Sequence, residues 1–228
     1  MEIVLGGLAI FVIIGSLVMF ISSDRNGRGS ALLKRGDYQN AIIRFERVLA
    51  ESPENWETYC YLGDTYRRLG QYENAIENYK KSISCNSEAV DSYEGLALSY
   101  ADSGSNFNEA IVLIGQTREI MKEDPVALDE TRSFYLETLS WVYFQKGDTA
   151  RAVVYFDEAY PLWQKDFQNG VDEFDPYFSD VHYRFGILFN CKGEKEKARE
   201  EFDKAVRCAP KSVYAKKSEE EIEKIKQS

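Results

Sequence analysis

A chain of 228 residues with 44% apolar and 29% charged residues is long enough for one globular unit with an appendage, and too rich in core-forming residues to be disordered. Its 38 Asp and Glu against 28 Lys and Arg leave a formal charge of −10. That balance argues against a nucleic-acid partner, because phosphate binding needs clustered Lys and Arg.

The first element is an apolar run. From Ile3 to Ser23, "IVLGGLAIFVIIGSLVMFISS", no residue is charged. As a helix at 1.5 Å per residue the run spans about 31 Å, the thickness of a bilayer core. A cleaved signal peptide would want a basic start and an A-x-A-like site, and neither is present. The run reads as a retained transmembrane anchor over residues 1–23. Arg25, Arg28, Lys34 and Arg35 follow it closely, and no Lys or Arg precedes it. Positive flanks stay inside, so the chain is expected to be a single-pass plasma-membrane protein with its C-terminal bulk in the cytoplasm.

Beyond the anchor a pattern recurs. In "YLGDTYRRLGQYENAIENYKKSI" (Tyr61–Ile83), Leu62, Tyr66 and Gly70 are spaced by four. The same triplet returns as Leu96, Tyr100 and Gly104, as Leu139, Tyr143 and Gly147, and as Phe185, Phe189 and Gly193. A small residue follows each first member: Gly63, Ala97, Ser140 and Gly186. Past each last glycine comes Ala75, Ala110, Ala152 or Ala198, and four residues later Tyr79, Ile114, Phe156 or Phe202. A partial copy starts earlier, with Gly29, Gly36, Tyr38, Ala41 and Phe45. Residues three and four apart share one helix face. Each copy therefore reads as two helices, the small residues marking close crossings and the glycine a left-handed cap between them. One residue is inserted near Ser105, and Lys165–Asp180 breaks the period.

This pattern resembles the tetratricopeptide repeat, a helix–turn–helix unit of 34 residues. The resemblance covers about residues 22–210. It implies an all-α fold, an α-solenoid of about five repeats at 22–55, 56–89, 90–124, 133–166 and 179–212. A loop insertion falls at 165–180, a capping helix comes after the last repeat at 212–228, and the whole solenoid domain is 24–228. In the capping helix Val213, Tyr214 and Ile222 are expected to face inward. The cysteines, Cys60, Cys85, Cys191 and Cys208, form no CxxC pair and read as small buried hydrophobes. His182, the single histidine, reads as structural or solvent-facing.

No glycine-rich phosphate loop, HExxH or GxSxG is present, and the repeats use up nearly all of the chain. The expectation is a protein that is not an enzyme, with no cofactor and no metal. The resemblance implies instead a concave groove lined by the first helix of each repeat, taking an extended or helical peptide. With Tyr59, Leu62 and Tyr66 used for packing, the groove side carries Cys60, Asp64 and Arg67 in the second copy and Asp91, Glu94 and Leu98 in the third. Phe134, Glu137, Trp141 and Phe144 belong to it in the fourth, and Asp180, Tyr183, Ile187 and Asn190 in the fifth. From these, Asp64, Arg67, Asp91, Glu94, Glu137, Trp141, Tyr183 and Asn190 are the partner-binding candidates. Such a groove is acidic at its middle and aromatic towards one end, which suits a basic protein or peptide with an apolar anchor. The carboxylates could equally be a solvated face, and Trp141 either an anchor or core against the Lys165–Asp180 insertion. The Lys/Asn clamp that some relatives use on a C-terminal carboxylate does not occur: Asp64, Leu98, Trp141 and Ile187 stand where its Asn would be. Three roles stay open: a membrane-anchored adaptor facing the cytoplasm, a self-associating, homo-oligomeric scaffold, and an envelope chaperone-like assembly factor facing outside.

Overall fold

The protein is represented by a computed structural model that describes residues 26–122, 124 and 131–227. The apolar run Ile3–Ser23 lies outside the described residues. Among the described residues no helix is long and apolar enough to cross a membrane. They form helices throughout: α1 (26–34), α2 (Tyr38–Glu51), α3 (Trp56–Arg68), α4 (Tyr72–Cys85), α5 (Val90–Asp102), α6 (Phe107–Met121), α7 (Arg132–Gln145), α8 (Thr149–Gln168), α9 (Ser179–Cys191), α10 (Lys195–Cys208) and α11 (Val213–Gln227). A 3-10 turn, Pro176–Phe178, precedes α9. Odd and even helices pair as hairpins, and the hairpins stack side by side.

Every hairpin turns by the same device. Gly36, Gly70, Gly104, Gly147 and Gly193 have φ of 69, 74, 71, 86 and 81°, the left-handed region that a side chain disfavours. In the second repeat the Gly70 N–H donates to the Arg67 carbonyl at 3.0 Å and the Gln71 N–H to the Tyr66 carbonyl at 2.9 Å. The same two bonds close the other four turns and satisfy carbonyls that a helix end would otherwise leave open. The residue inserted near Ser105 is absorbed by Asn106, itself left-handed at φ 49°.

Three of the hairpins close on a bulky side chain set against a glycine. A Cβ on Gly63 would lie 2.6 Å from the Tyr79 ring, and one on Gly95 in the next repeat would meet the same ring. Phe45 sits likewise on Gly29, and Phe202 on Gly186. Tyr79, Phe45, Phe202, Ala75 and Ala198 are each 0% exposed. One ring thus joins its own hairpin to the next and turns separate hairpins into one core.

The segment Lys165–Asp180 differs from the loop expected there. Helix α8 runs on to Gln168 through Pro161, because Trp163 is held in the core with Phe167 and Phe178 around it. Between α8 and α9 the chain forms an ordered strap. The Asp175 carboxylate accepts from the Tyr177 N–H at 2.9 Å and pairs with Lys34 at 2.8 Å. The Arg68 guanidinium donates to the carbonyls of Pro176 and Tyr177 at 2.7 and 3.0 Å. The strap therefore ties the fifth repeat to the first two.

Helix α11 does the same. Tyr214 and Ile222 are buried and Val213 half-buried, as a capping helix requires. But α11 also reaches across the array. The Tyr214 hydroxyl donates to Asp102 at 2.6 Å and accepts from Arg67 at 3.0 Å. Val213 lies 3.4 Å from where a Gly70 Cβ would stand, and Lys217 donates to the Tyr72 hydroxyl at 3.0 Å. The solenoid curls until its ends meet.

Cys60 and Cys208 are buried, whereas Cys85 and Cys191 stand at helix ends on the side turned to solvent and are exposed. His182 is structural: it is 0% exposed, with its ring nitrogens 2.7 Å from a Glu201 carboxylate oxygen and 3.0 Å from the Glu173 carbonyl.

The ring-on-glycine packing has a measurable consequence. Gly63→Ala and Ala75→Leu each overfill the contact with Tyr79 or its crossing and lower stability by about 1–3 kcal/mol in denaturant titrations. Glu77→Ala, on an exposed face, changes it by less than about 0.5 kcal/mol.

Candidate functional site

The first helices of four repeats surround one hollow of about 160 Å³. Helix α3 contributes Asp64, Arg67 and Arg68; α5 contributes Asp91, Glu94 and Leu98; α7 contributes Phe134 and Glu137; α9 contributes Asp180 and Arg184; the strap closes it with Tyr177. Within each helix these positions are three or four apart, so one face of each helix suffices to build it.

The floor of the hollow is an ion network. Asp180 accepts from Arg67 at 2.6 Å and from Arg184 at 2.9 Å through one oxygen. Arg184 also grips the Glu137 carboxylate with two nitrogens, one of them at 3.1 Å. Asp180, Arg184 and Glu137 are 2, 1 and 2% exposed. Burial by itself would raise the Asp180 carboxyl, but Arg67, Arg184 and Arg68 outweigh it and hold the group well below the usual carboxylate range. For Glu137 burial outweighs Arg184, and its carboxyl is raised. Asp64, half-buried, accepts from the Tyr79 hydroxyl at 2.6 Å; burial raises it too, against the pull of Arg67.

The mouth is different. Asp91 is exposed and Glu94 half-buried, and neither has a hydrogen bond or ion pair among the described residues. Burial, with Asp91 and Glu137 as like-charged neighbours, pushes Glu94 up to about 8. Desolvation at the rim and Asp64 raise Asp91. Among the described residues no cluster of His, Cys, Asp and Glu has a metal-holding geometry.

The structure thus gathers Asp64, Arg67, Asp91, Glu94 and Glu137 around one hollow. Arg67, at 6% exposure, and Glu137 are engaged by internal partners. Trp141, Tyr183 and Asn190 lie outside it. Trp141 is 2% exposed; its Nε1 donates to Asp102 at 2.8 Å, and its ring stacks on Phe144 and meets the edge of Tyr183. It is core between α5, α7 and α9, while Trp163 is the indole that backs the strap. Tyr183 is covered by α11, with Tyr214 at 5.8 Å and Lys217 over its ring. Asn190 is half-buried near the end of α9, where its carbonyl takes the Gly193 N–H of the turn. Arg68, Arg184 and Tyr177 join the hollow without having been singled out by the repeat pattern. Asp180 and Arg184 stand four apart on one helix, a pairing legible in sequence; their bonds to Arg67 and Glu137 cross repeats and carry no local signal.

The stacked hairpins, their common glycine turns and the inward first helices define a tetratricopeptide-repeat solenoid. A family profile described as "Anaphase-promoting complex, cyclosome, subunit 3" matches residues 34–117. Protein CTR9 homolog of Arabidopsis thaliana is 29% identical over 135 residues, 58% of this chain and 12% of that protein. A TPR repeat-containing protein of Methanocaldococcus jannaschii is 30% identical over 165 residues, 70% of this chain and 26% of that protein. The chain spans about a quarter or less of the length of these relatives. A thermophilic TPR protein of Thermus thermophilus has the same fold, with a TM-score of 0.59 at 20% identity over 91% of this chain and 100% of that one. Together with the repeat geometry these matches show that the chain has the tetratricopeptide-repeat fold; proteins of that family generally mediate protein–protein interaction.

The floor and the mouth of the hollow respond oppositely to neutralisation. Asp180→Ala removes the carboxylate shared by the buried Arg67 and Arg184 guanidinium groups, of which only Arg184 keeps a close carboxylate in Glu137, and lowers stability by about 3–5 kcal/mol. Glu94 has a folded-state pKa above its unfolded value. Its contribution to stability is therefore full below the ordinary glutamate range and is lost as pH rises through about 8. Glu94→Gln is thus expected to stabilise the protein by about 1–2 kcal/mol at pH 9, with solvent at the mouth screening part of the effect, and to leave it unchanged at pH 4. Thermal melts of both variants at the two pH values check this.

Proposed function

We propose that this protein is a non-catalytic interaction module that holds a basic group of a protein partner in the hollow between α3, α5, α7 and α9. One observation carries the reading. On the floor of the hollow Arg67, Arg184, Asp180 and Glu137 are matched in ion pairs, while Asp91 and Glu94 at its mouth are in none. Two unpaired carboxyls in a partly desolvated recess resist carrying charge together, which is part of why Glu94 is pushed up to about 8, and an incoming ammonium or guanidinium lets both ionise. The remaining carboxylates of the chain, many paired with lysines three or four residues away on exposed helix faces, offer no comparable attraction.

The module is proposed to act as an adaptor at the cytoplasmic face of a membrane. The uncharged run Ile3–Ser23 and the basic residues just after it support this placement. An anchor confines the module to a surface, where its acidic hollow meets partners at raised local concentration.

Two measurements test the hollow and the anchor separately. Reversal of both mouth charges, Asp91→Lys with Glu94→Lys, is expected to cut the on-rate of a partner recovered with the wild-type protein by roughly tenfold, and to remove most of its salt dependence. Unchanged recovery and kinetics, with helicity intact, would exclude the hollow as the docking site. The full chain is expected to stay in the membrane pellet through carbonate and high-salt washes. Recovery of a soluble species beginning near residue 24 would instead identify the run as a cleaved signal.

A further inference from the structure

A second pocket adjoins the hollow. It has a volume of about 240 Å³ and is lined by Phe134, Trp163, Asp166 and Val171. Phe134 lines both cavities. The pocket is apolar on three of its four sides. Phe134 and Val171 are 37 and 41% exposed, although each is a large hydrophobic residue beside a well-packed aromatic core. Trp163 behind them is 0% exposed.

Each cavity also carries at least one buried polar atom without a partner among the described residues. In the pocket it is the indole Nε1 of Trp163, a donor with no acceptor. The contrast with Trp141 is direct, since that indole is satisfied by Asp102. A buried indole N–H ordinarily finds an acceptor. In the hollow there are three, Asp180 Oδ1 as an acceptor and the Nε atoms of Arg67 and Arg68 as donors. Phe134 stands between the two cavities.

We infer that hollow and pocket are two halves of one recognition site for a protein segment carrying a lysine or arginine beside a bulky apolar residue. The cation enters the hollow towards Asp91 and Glu94. The apolar side chain fills the pocket against Phe134, Val171 and Trp163. This rests on the reading of the hollow as a site for a basic group. Charge complementarity sets the cationic half, because Asp91 and Glu94 have no counter-ion of their own. The shared Phe134 sets the spacing. One aromatic ring between two cavities places their occupants on the order of one to three residues apart in an extended chain that advances about 3.3 Å per residue. The apolar half supplies what charge alone does not, a slow off-rate and a choice among basic partners.

The test uses the full chain, labelled with ¹⁵N at tryptophan, and capped heptapeptides of glycine and serine that hold one lysine and one leucine. Three spacings are compared, with leucine one, two or three residues from lysine. At least one is expected to bind about fivefold or more tightly than the same peptide with alanine for leucine. The same peptide should shift the Trp163 indole N–H resonance, because the ring walls the pocket that the leucine fills, that resonance being identified by its loss in Trp163→Phe. Val171→Asn, which makes the pocket wall polar without adding charge, is expected to abolish the gain from leucine. Lysine peptides that bind equally with and without leucine, leaving the indole unmoved, would overturn the inference while the basic-group reading stands. No binding by any lysine peptide would overturn both. A leucine peptide without lysine that binds as tightly as the pair would overturn the coupled site.

Discussion

Asp180 is the residue on which the shape of this molecule turns. Its carboxylate is shared by Arg67 of the second repeat and Arg184 of its own helix, and all three are at least nine-tenths buried. A buried ion pair is not in itself a large source of stability, since desolvation of each charge offsets much of the attraction. What such a network supplies is discrimination. The solenoid can curl to only one degree if Arg67 and Asp180 are to meet, because any other curvature leaves buried charges unmatched. Tyr214 adds a neutral arm to the same point, bonding Arg67 and Asp102 at once. The strap adds a third, through Arg68 and Lys34.

This closure changes what the inner face can do. In an open array the first helices would offer a continuous channel, and every inward residue would be available to a peptide. Here the chain fills much of that channel itself. Tyr183 is sealed under α11 and Trp141 is packed against Tyr183, while Glu137 is spent on Arg184 and Arg67 on Asp180. What remains is compact: a hollow with a paired floor and an unpaired mouth, and an apolar pocket beyond Phe134. The unpaired carboxylates lie where a structural role explains them least. Like-charge repulsion between Asp91, Glu94 and Glu137 works against the folded state, which is the pattern of local conflict expected where binding rather than stability sets the residue.

The sequence by itself determined the repeat. The spacing of Leu62, Tyr66 and Gly70 is a local property, and a left-handed glycine after a helix means a turn whatever lies around it. Small residues at Gly63 and Gly186 announce close crossings for the same reason, because no neighbour can remove the bulk of a side chain from a helix face. Helical periodicity put Asp64, Asp91, Glu94 and Glu137 on the face opposite the packing stripe, and the resemblance to the tetratricopeptide repeat implied that this face turns inward. Only the tertiary structure decided the rest: that the array closes, that the strap and α11 occupy its inner face, that Trp141 is core while Trp163 backs a pocket, and which carboxylates find an arginine. Those outcomes depend on contacts such as Arg67 with Asp180 and Tyr214 with Asp102, whose partners lie whole repeats apart. Helical periodicity fixes the direction of a side chain from its own helix. The sum of small rotations between successive hairpins fixes what that side chain meets, and no single repeat encodes that sum.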